Sequence, residues 1–149
     1  MSEIWSQLGY EISGGSNDYF GYSVDMSNDG KTIVVGSIEK STSSKSEYVR
    51  VYIWNGTSWI NRGTYIHGTT TTGYLRGRRK NNNEQYGYSV AISGDGNTVV
   101  VGAPYDDGGS SSTGLNKGRI YIYTWNGSNN SWTQQHTING IPNYDNFGW

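Results

Sequence analysis

The sequence predicts an all-β chain, a β-propeller fragment made of two four-stranded antiparallel blades with partial blades at both ends. Three observations predict it. Residues 21–36 (GYSVDMSNDGKTIVVG) and 87–102 (GYSVAISGDGNTVVVG) agree at eleven of sixteen positions. Short alternating or continuously apolar runs recur between Asn-Gly and Asp-Gly pairs, with no 3.6-residue period. Composition also fits: 33% of the 149 residues are hydrophobic, yet 22 Gly, 13 Tyr and 6 Trp are present. Disordered chains share low apolar content but are poor in aromatics. Many short strands joined by Gly, Asn and Ser turns account for both facts.

The repeat divides into four strands. The first covers Tyr22–Ser27 and Tyr88–Ser93, the second Thr32–Gly36 and Thr98–Gly102. The second strands, through Ile33-Val34-Val35 and Val99-Val100-Val101, are apolar on both faces, as a covered strand requires. Asn28-Asp29-Gly30 and Gly94-Asp95-Gly96 link first to second, with Gly taking positive φ. The third strand alternates strictly, Val49, Val51 and Ile53 against Arg50, Tyr52 and Trp54. Its echo is Arg119 to Trp125. Trp54-Asn55-Gly56 and Trp125-Asn126-Gly127 then turn into a more polar fourth strand, as an outer edge would be. That strand opens with Trp59 or Trp132 and ends near Ile66-x-Gly68 or Ile138-x-Gly140. The N-terminal stretch, with Trp5, Ile12 and Gly14, repeats only this last element, and Phe147-Gly148 repeats only the start.

The expected division is therefore an outer strand of a preceding or closing blade in residues 1–14, a blade in 19–68, an inter-blade insertion in 69–84, a blade in 85–140 and the opening of another in 146–149. Four antiparallel strands repeated in tandem are the unit of a propeller. A single sandwich of about nine strands is the rival, and the tandem repeat argues against it. Two blades do not close a ring, so the expected partners include further blades, from a longer parent chain or from other copies.

Phe20-Gly21-Tyr22-Ser23-Val24 and Val101-Gly102-Ala103-Pro104 together resemble the FG-GAP repeat, found in the integrin α-chain propeller and in many surface proteins. Gly36-Ser37-Ile38 departs from the Gly-Ala-Pro of the second copy. The resemblance implies a propeller and a role in adhesion or ligand recognition, which is an analogy from fold. It also implies an extracellular or surface-exposed setting. Met1 to Trp5 shows no signal-peptide pattern.

Repeats of this kind often carry an aspartate-rich calcium loop. Here Asp25, Ser27 and Asp29 fill three ligand positions, and Ile33 replaces the closing acid. In the second copy Ala91 replaces the first acid, Asp95 remains and Val99 stands at the close. Calcium needs several carboxylates, so Asp25, Asp29 and Asp95 are weak candidates, and tight turns capped by Asp and Ser are expected instead. No other cofactor is suggested. Tyr105, Asp106 and Asp107 lie in the loop between second and third strands, where propellers place binding residues. They are candidates for a sugar, a basic side chain or a cation, weighed against a solvated loop.

The net charge of −1 gives no general pull toward nucleic acid or anionic membrane. Arg76, Arg78, Arg79 and Lys80 cluster in 67–86 with limited aromatic interleaving, which fits a solvated insertion better than a nucleic-acid site. No apolar run approaches a membrane span. The absence of Cys removes disulfides and thiolate metal sites. His67 and His136 have no second ligand at helical spacing, and no nucleophile or phosphate motif occurs. The recurring Trp5, Trp54, Trp59, Trp125 and Trp132 fit blade-to-blade packing better than sugar stacking. The expected function is non-catalytic recognition of a protein or glycan through loops on one ring face. A glycan-active propeller enzyme with its site in other blades, and a plain structural scaffold, are the alternatives.

Overall fold

The computed structural model describes residues 4–16, 18–38, 47–68, 84–106, 117–141 and 145–149, with the backbone of 74–75 and 78–79. Its first sheet contains β1 (Phe20–Met26), β2 (Thr32–Ser37), β3 (Tyr48–Trp54) and an outer strand in two pieces, β4 (Trp59–Asn61) and β5 (Ile66–His67), both paired with β3. A two-residue hairpin, β6 (Tyr74–Leu75) with β7 (Arg78–Arg79), falls in the insertion. The second sheet holds β8 (Ser89–Ile92), β9 (Thr98–Ala103), β10 (Arg119–Asn126) and β11 (Ser131–Asn139). Every named pairing is antiparallel, each sheet follows chain order, and none of the described residues is helical.

Local chemistry sets the turns. Between β1 and β2, Ser27 N–H donates to the Thr32 carbonyl (2.9 Å), and Gly30 N–H to the Ser27 carbonyl (2.9 Å). Gly30 sits at φ 69°, which a side chain resists. The second copy repeats this at Ser93, Thr98 and Gly96.

Alternation along β3 decides which side chains join the two sheets. Val49 and Val51, with Val34 and Ile66, form one wall of the core. Tyr86, Val99, Val101, Ala103, Tyr121 and Tyr123 form the other. Each fully buried aliphatic or aromatic chain is worth about 1.5–3 kcal/mol, so this shared layer is the main force holding the blades together. On the opposite face of β3, Tyr48 and Tyr52 meet the Phe20 ring at 6.4 and 6.3 Å.

The inner ends of the blades touch through backbone. Tyr19, Gln85 and Asn146 all have positive φ, and each carbonyl accepts the N–H three residues on, at Tyr22, Tyr88 and Trp149. The turn exposes a glycine carbonyl between them. Gly87 oxygen accepts the Ser23 hydroxyl (2.7 Å), and a Cβ on Gly36 would lie 2.2 Å from that oxygen. Gly148 oxygen accepts the Ser89 hydroxyl (2.9 Å), and a Cβ on Gly102 would lie 2.1 Å from it. Residues 145–149 thus dock on the second sheet as 84–88 dock on the first.

Two features differ from the sequence expectation. Residues 4–16 form no strand, although an outer strand is expected over 1–14. An outer strand exists only through hydrogen bonds to its blade's third strand, and none of the described strands pairs with this segment. The first blade's outer strand is also interrupted at Arg62–Tyr65, where Gly63 has φ 82°. β11 runs unbroken, with His136 at the position of Gly63 counted from each opening tryptophan and a register shift at Ile122/Tyr123.

Replacing Gly36 with Ala is expected to cost about 1–3 kcal/mol, because the new methyl overlaps a backbone oxygen held by its own hydrogen bond. Gly127→Ala, with only the Trp125 Nε1 atom 3.6 Å from the added carbon, is expected to stay within about 0.5 kcal/mol. Urea unfolding midpoints of the two variants separate these outcomes.

Candidate functional site

The aromatic pairs on the outer rim act as latches between blades. Trp125 and Trp132 pack at 5.3 Å, and Trp132 Nε1 donates to the Arg62 carbonyl (2.8 Å). A Cβ on Gly63 would sit 2.9 Å from the Trp125 ring, so glycine lets the chain nestle there. Arg62 extends over both rings, 4.8 and 5.7 Å from their centroids, and donates to the Gly96 carbonyl (2.6 Å) and Asn97 Oδ1 (2.7 Å). Burial lowers the Arg62 guanidinium from its ordinary range, and the Asp95 and Asp29 carboxylates counter this. The N-terminal segment repeats the grip on the first blade. Trp54 and Trp59 pack at 5.4 Å, Trp59 Nε1 donates to the Leu8 carbonyl (3.0 Å), and Gly9 faces Trp54. These four indoles serve packing, as the sequence suggests. Trp5 is 94% exposed and does not.

Carboxylates reinforce the junction. Asp25 Oδ2 accepts the Ile92 N–H of the neighbouring blade (2.8 Å). Glu47 accepts the N–H groups of Gln85 (3.0 Å) and Tyr86 (3.3 Å), fixing the turn that enters the second blade. Asp29 takes the Ser27 hydroxyl (2.7 Å) and the Lys31 N–H (2.9 Å), while Asp95 takes the Ser93 hydroxyl and the Asn97 N–H (3.0 Å). The three calcium candidates are thus spread over one blade junction and two separate turns. Among the described residues no three His, Cys, Asp or Glu side chains gather as a metal-holding group.

The opposite end of the sheets carries the inter-blade turns and the loops between second and third strands. Here the residue after each turn glycine is aromatic. Tyr22 and Tyr88 lie 4.9 Å apart, Tyr88 and Trp149 lie 4.7 Å apart, and Tyr105 approaches Trp149 at 6.4 Å. A bond between the Tyr22 and Tyr88 phenols, then burial, pushes Tyr88 up to about 12. Tyr22 remains 43% and Trp149 66% exposed, so this ladder faces solvent. Of the two loop candidates among the described residues, Tyr105 joins it and Asp106 does not. Asp106 is turned inward and buried, where it accepts the Tyr121 hydroxyl and pairs with Arg119 at 3.8 Å. Asp107 lies outside the described residues, as do Arg76 and Lys80 of the basic cluster.

Sequence reasoning misses Asp18, Glu47 and Arg62. Asp18 is buried and accepts the Tyr48 hydroxyl and the N–H groups of Gly15 (2.6 Å) and Phe20 (3.1 Å). The parallel of Asp18-Tyr19-Phe20-Gly21 with Glu84-Gln85-Tyr86-Gly87 is the available signal, since both acids are buried. Glu47 and Arg62 have no counterpart in the other repeat.

Serial four-stranded sheets, joined face to face by apolar walls and glycine turns, define a β-propeller repeat module. The chain belongs to the FG-GAP repeat family, whose model matches residues 13–53 and 80–123, more than half of its length. None of the curated proteins compared matches it.

Burial pushes the Asp18 carboxyl up, but its hydrogen bonds from Tyr48, Gly15 and Phe20 outweigh this and leave it lowered. Asp29 and Asp95 are lowered chiefly by the Ser27 and Ser93 hydroxyls, then by backbone N–H groups. A carboxyl that is more acidic when folded stabilises fully above its unfolded value, and the gain disappears as pH falls through that value to the folded one. Thermal melts should therefore hold steady down to about pH 5 and drop below about pH 4. Asp18→Asn should lower stability by about 1–3 kcal/mol at neutral pH and flatten part of the acid limb.

Proposed function

We propose that this chain is a non-catalytic recognition module, in which propeller blades hold a protein or glycan ligand against the face that carries the inter-blade turns. The observation that carries this reading is the solvent-facing ladder Tyr22–Tyr88–Trp149, one ring per repeat, joined by Tyr105. The indoles of the outer rim are consumed by latching, whereas these rings keep open surface. Aromatic side chains give large contact area for little entropy, and they dominate binding surfaces for that reason. Placement on turns of a rigid scaffold is the usual arrangement for recognition.

In this reading the module works in a surface or extracellular setting and contributes to adhesion, with further blades, from the same chain or other copies, as its structural partners. Val24 and Met26 of β1 are 62% and 49% exposed, while their counterparts Val90 and Ile92 are packed against the core. A sheet like the first, placed over β1, would give Val24 and Met26 the same cover. The reading assigns no cofactor.

Glycan and peptide arrays probed with the chain test the proposal. Tyr88→Ala is expected to weaken a ligand found this way by about 30-fold, the size of a central binding residue, with the far-ultraviolet spectrum unchanged. A ligand that binds the Tyr22→Ala/Tyr88→Ala variant as well as the parent would place recognition elsewhere.

A further inference from the structure

Three Asn-Gly and three Asp-Gly pairs occur in the chain. Such pairs are open to attack on the side-chain carbonyl by the nitrogen of the following glycine, which has no side chain to obstruct ring closure. Reaction requires a glycine N–H free of other bonds and a backbone able to rotate. The structure sorts five of the six pairs on these criteria, and Asp107-Gly108 lies outside the described residues.

Gly30 and Gly96, which follow Asp29 and Asp95, each donate their N–H to a serine carbonyl, at 2.9 and 2.8 Å. Asn139 is paired with Arg119 in the β10–β11 ladder. Its Gly140 donates to the Gly118 carbonyl (2.9 Å) and is packed so closely that a Cβ would lie 1.9 Å from the Lys117 carbonyl oxygen. These three pairs are locked.

Asn55 and Asn126 are different. Both are exposed, Asn55 on the turn joining third and fourth strands and Asn126 as the last residue of β10, where it pairs with Ser131 at the end of the ladder. Neither Gly56 nor Gly127 donates its N–H among the described backbone hydrogen bonds. Gly56 is at φ 99° in open space. Asn55 Oδ1 also accepts two backbone N–H groups, from Thr57 (2.9 Å) and Ser58 (2.8 Å). Donors placed on that oxygen polarise the carbonyl and stabilise the negative charge that grows on it during attack, as in an oxyanion hole. Asn126 Oδ1 has one such donor, Ser128 N–H at 3.0 Å.

We propose that Asn55 is a site of spontaneous deamidation in the folded protein, that Asn126 reacts more slowly, and that Asn139, Asp29 and Asp95 are protected. The Gly56 nitrogen loses its proton and bonds to Asn55 Cγ. The Cγ–Nδ2 bond breaks and ammonia leaves. Water then opens the cyclic imide at either carbonyl, giving aspartate or isoaspartate. The aspartate product keeps the turn, because a carboxylate accepts the same N–H groups. The isoaspartate product inserts an extra methylene into the backbone beside Trp54, one half of the pair that grips Leu8 and Gly9.

The test is peptide mass mapping of the intact folded chain, aged in heavy-oxygen water at mildly alkaline pH, with isoaspartate scored by an isoaspartyl methyltransferase. Label is expected at Asn55 first, then Asn126. Asn139 should lag Asn55 by about tenfold or more, the rate equivalent of one hydrogen bond that must break before attack. In denaturant the three asparagines should converge, which ties the order to the fold. Label at Asn139 as fast as at Asn55 in the folded chain, or the same unequal order in denaturant, overturns the proposal. Gly56→Ala, which crowds the attacking nitrogen, should silence Asn55 alone; continued conversion there would equally refute it.

Discussion

The whole arrangement depends on one close approach of backbone to backbone. The turn entering each blade thrusts a glycine carbonyl against the second strand of the blade before it, and only a glycine at Gly36 or Gly102 leaves room. A serine two residues past the preceding blade's own turn glycine, Ser23 or Ser89, holds that oxygen by its hydroxyl. Apolar walls supply most of the energy, but the hydrophobic term itself carries no direction. The carbonyl seated on glycine fixes where the second sheet stops. Both the core and the aromatic ladder follow from that registration.

Outward from this point, the junction changes character. The middle is apolar, with Val49 and Val51 facing Val99 and Val101. The Asp25 bond to Ile92 N–H and the Glu47 bonds to Gln85 and Tyr86 N–H satisfy backbone donors that blade pairing would otherwise leave buried and unpaired. The rim is aromatic and cationic, with Arg62 lying over two indoles while it bonds to the turn beyond them. Attraction between a guanidinium and an indole face is about 0.5–2 kcal/mol depending on solvent exposure. The Arg62 side chain therefore adds both stability and direction.

Much of this was legible in the sequence. Identity between 21–36 and 87–102 gave the repeat, and strict alternation over Val49–Trp54 gave the face of β3 that enters the core. The Asp-Gly turns and the packing of the recurring indoles were also readable, because each depends on residues close in the chain. What was not readable depends on contacts between residues far apart in the chain. Asp106 looks like a loop acid until Tyr121, fifteen residues later, closes on it. Arg62 is one of several surface-like arginines until the neighbouring blade brings Trp125 beneath it. The stretch 4–16 has the residues of an outer strand, but strand formation needs a partner edge that composition does not announce.

The unlike outer strands of the two blades bear on how an array of this kind yields under load. Gly63 opens a notch in the first blade that a following indole pair fills, and Gly9 offers the same notch ahead of it. His136 occupies the corresponding place in the second blade, within an unbroken β11, and offers no such socket. Tension applied along the series would therefore be met by a peripheral clasp where residues 4–16 meet the first sheet, by a double clasp, axial and peripheral, between the two sheets, and by an axial clasp where residues 145–149 meet the second sheet. Such a stack is mechanically uneven, stiffest at the seam between its two sheets.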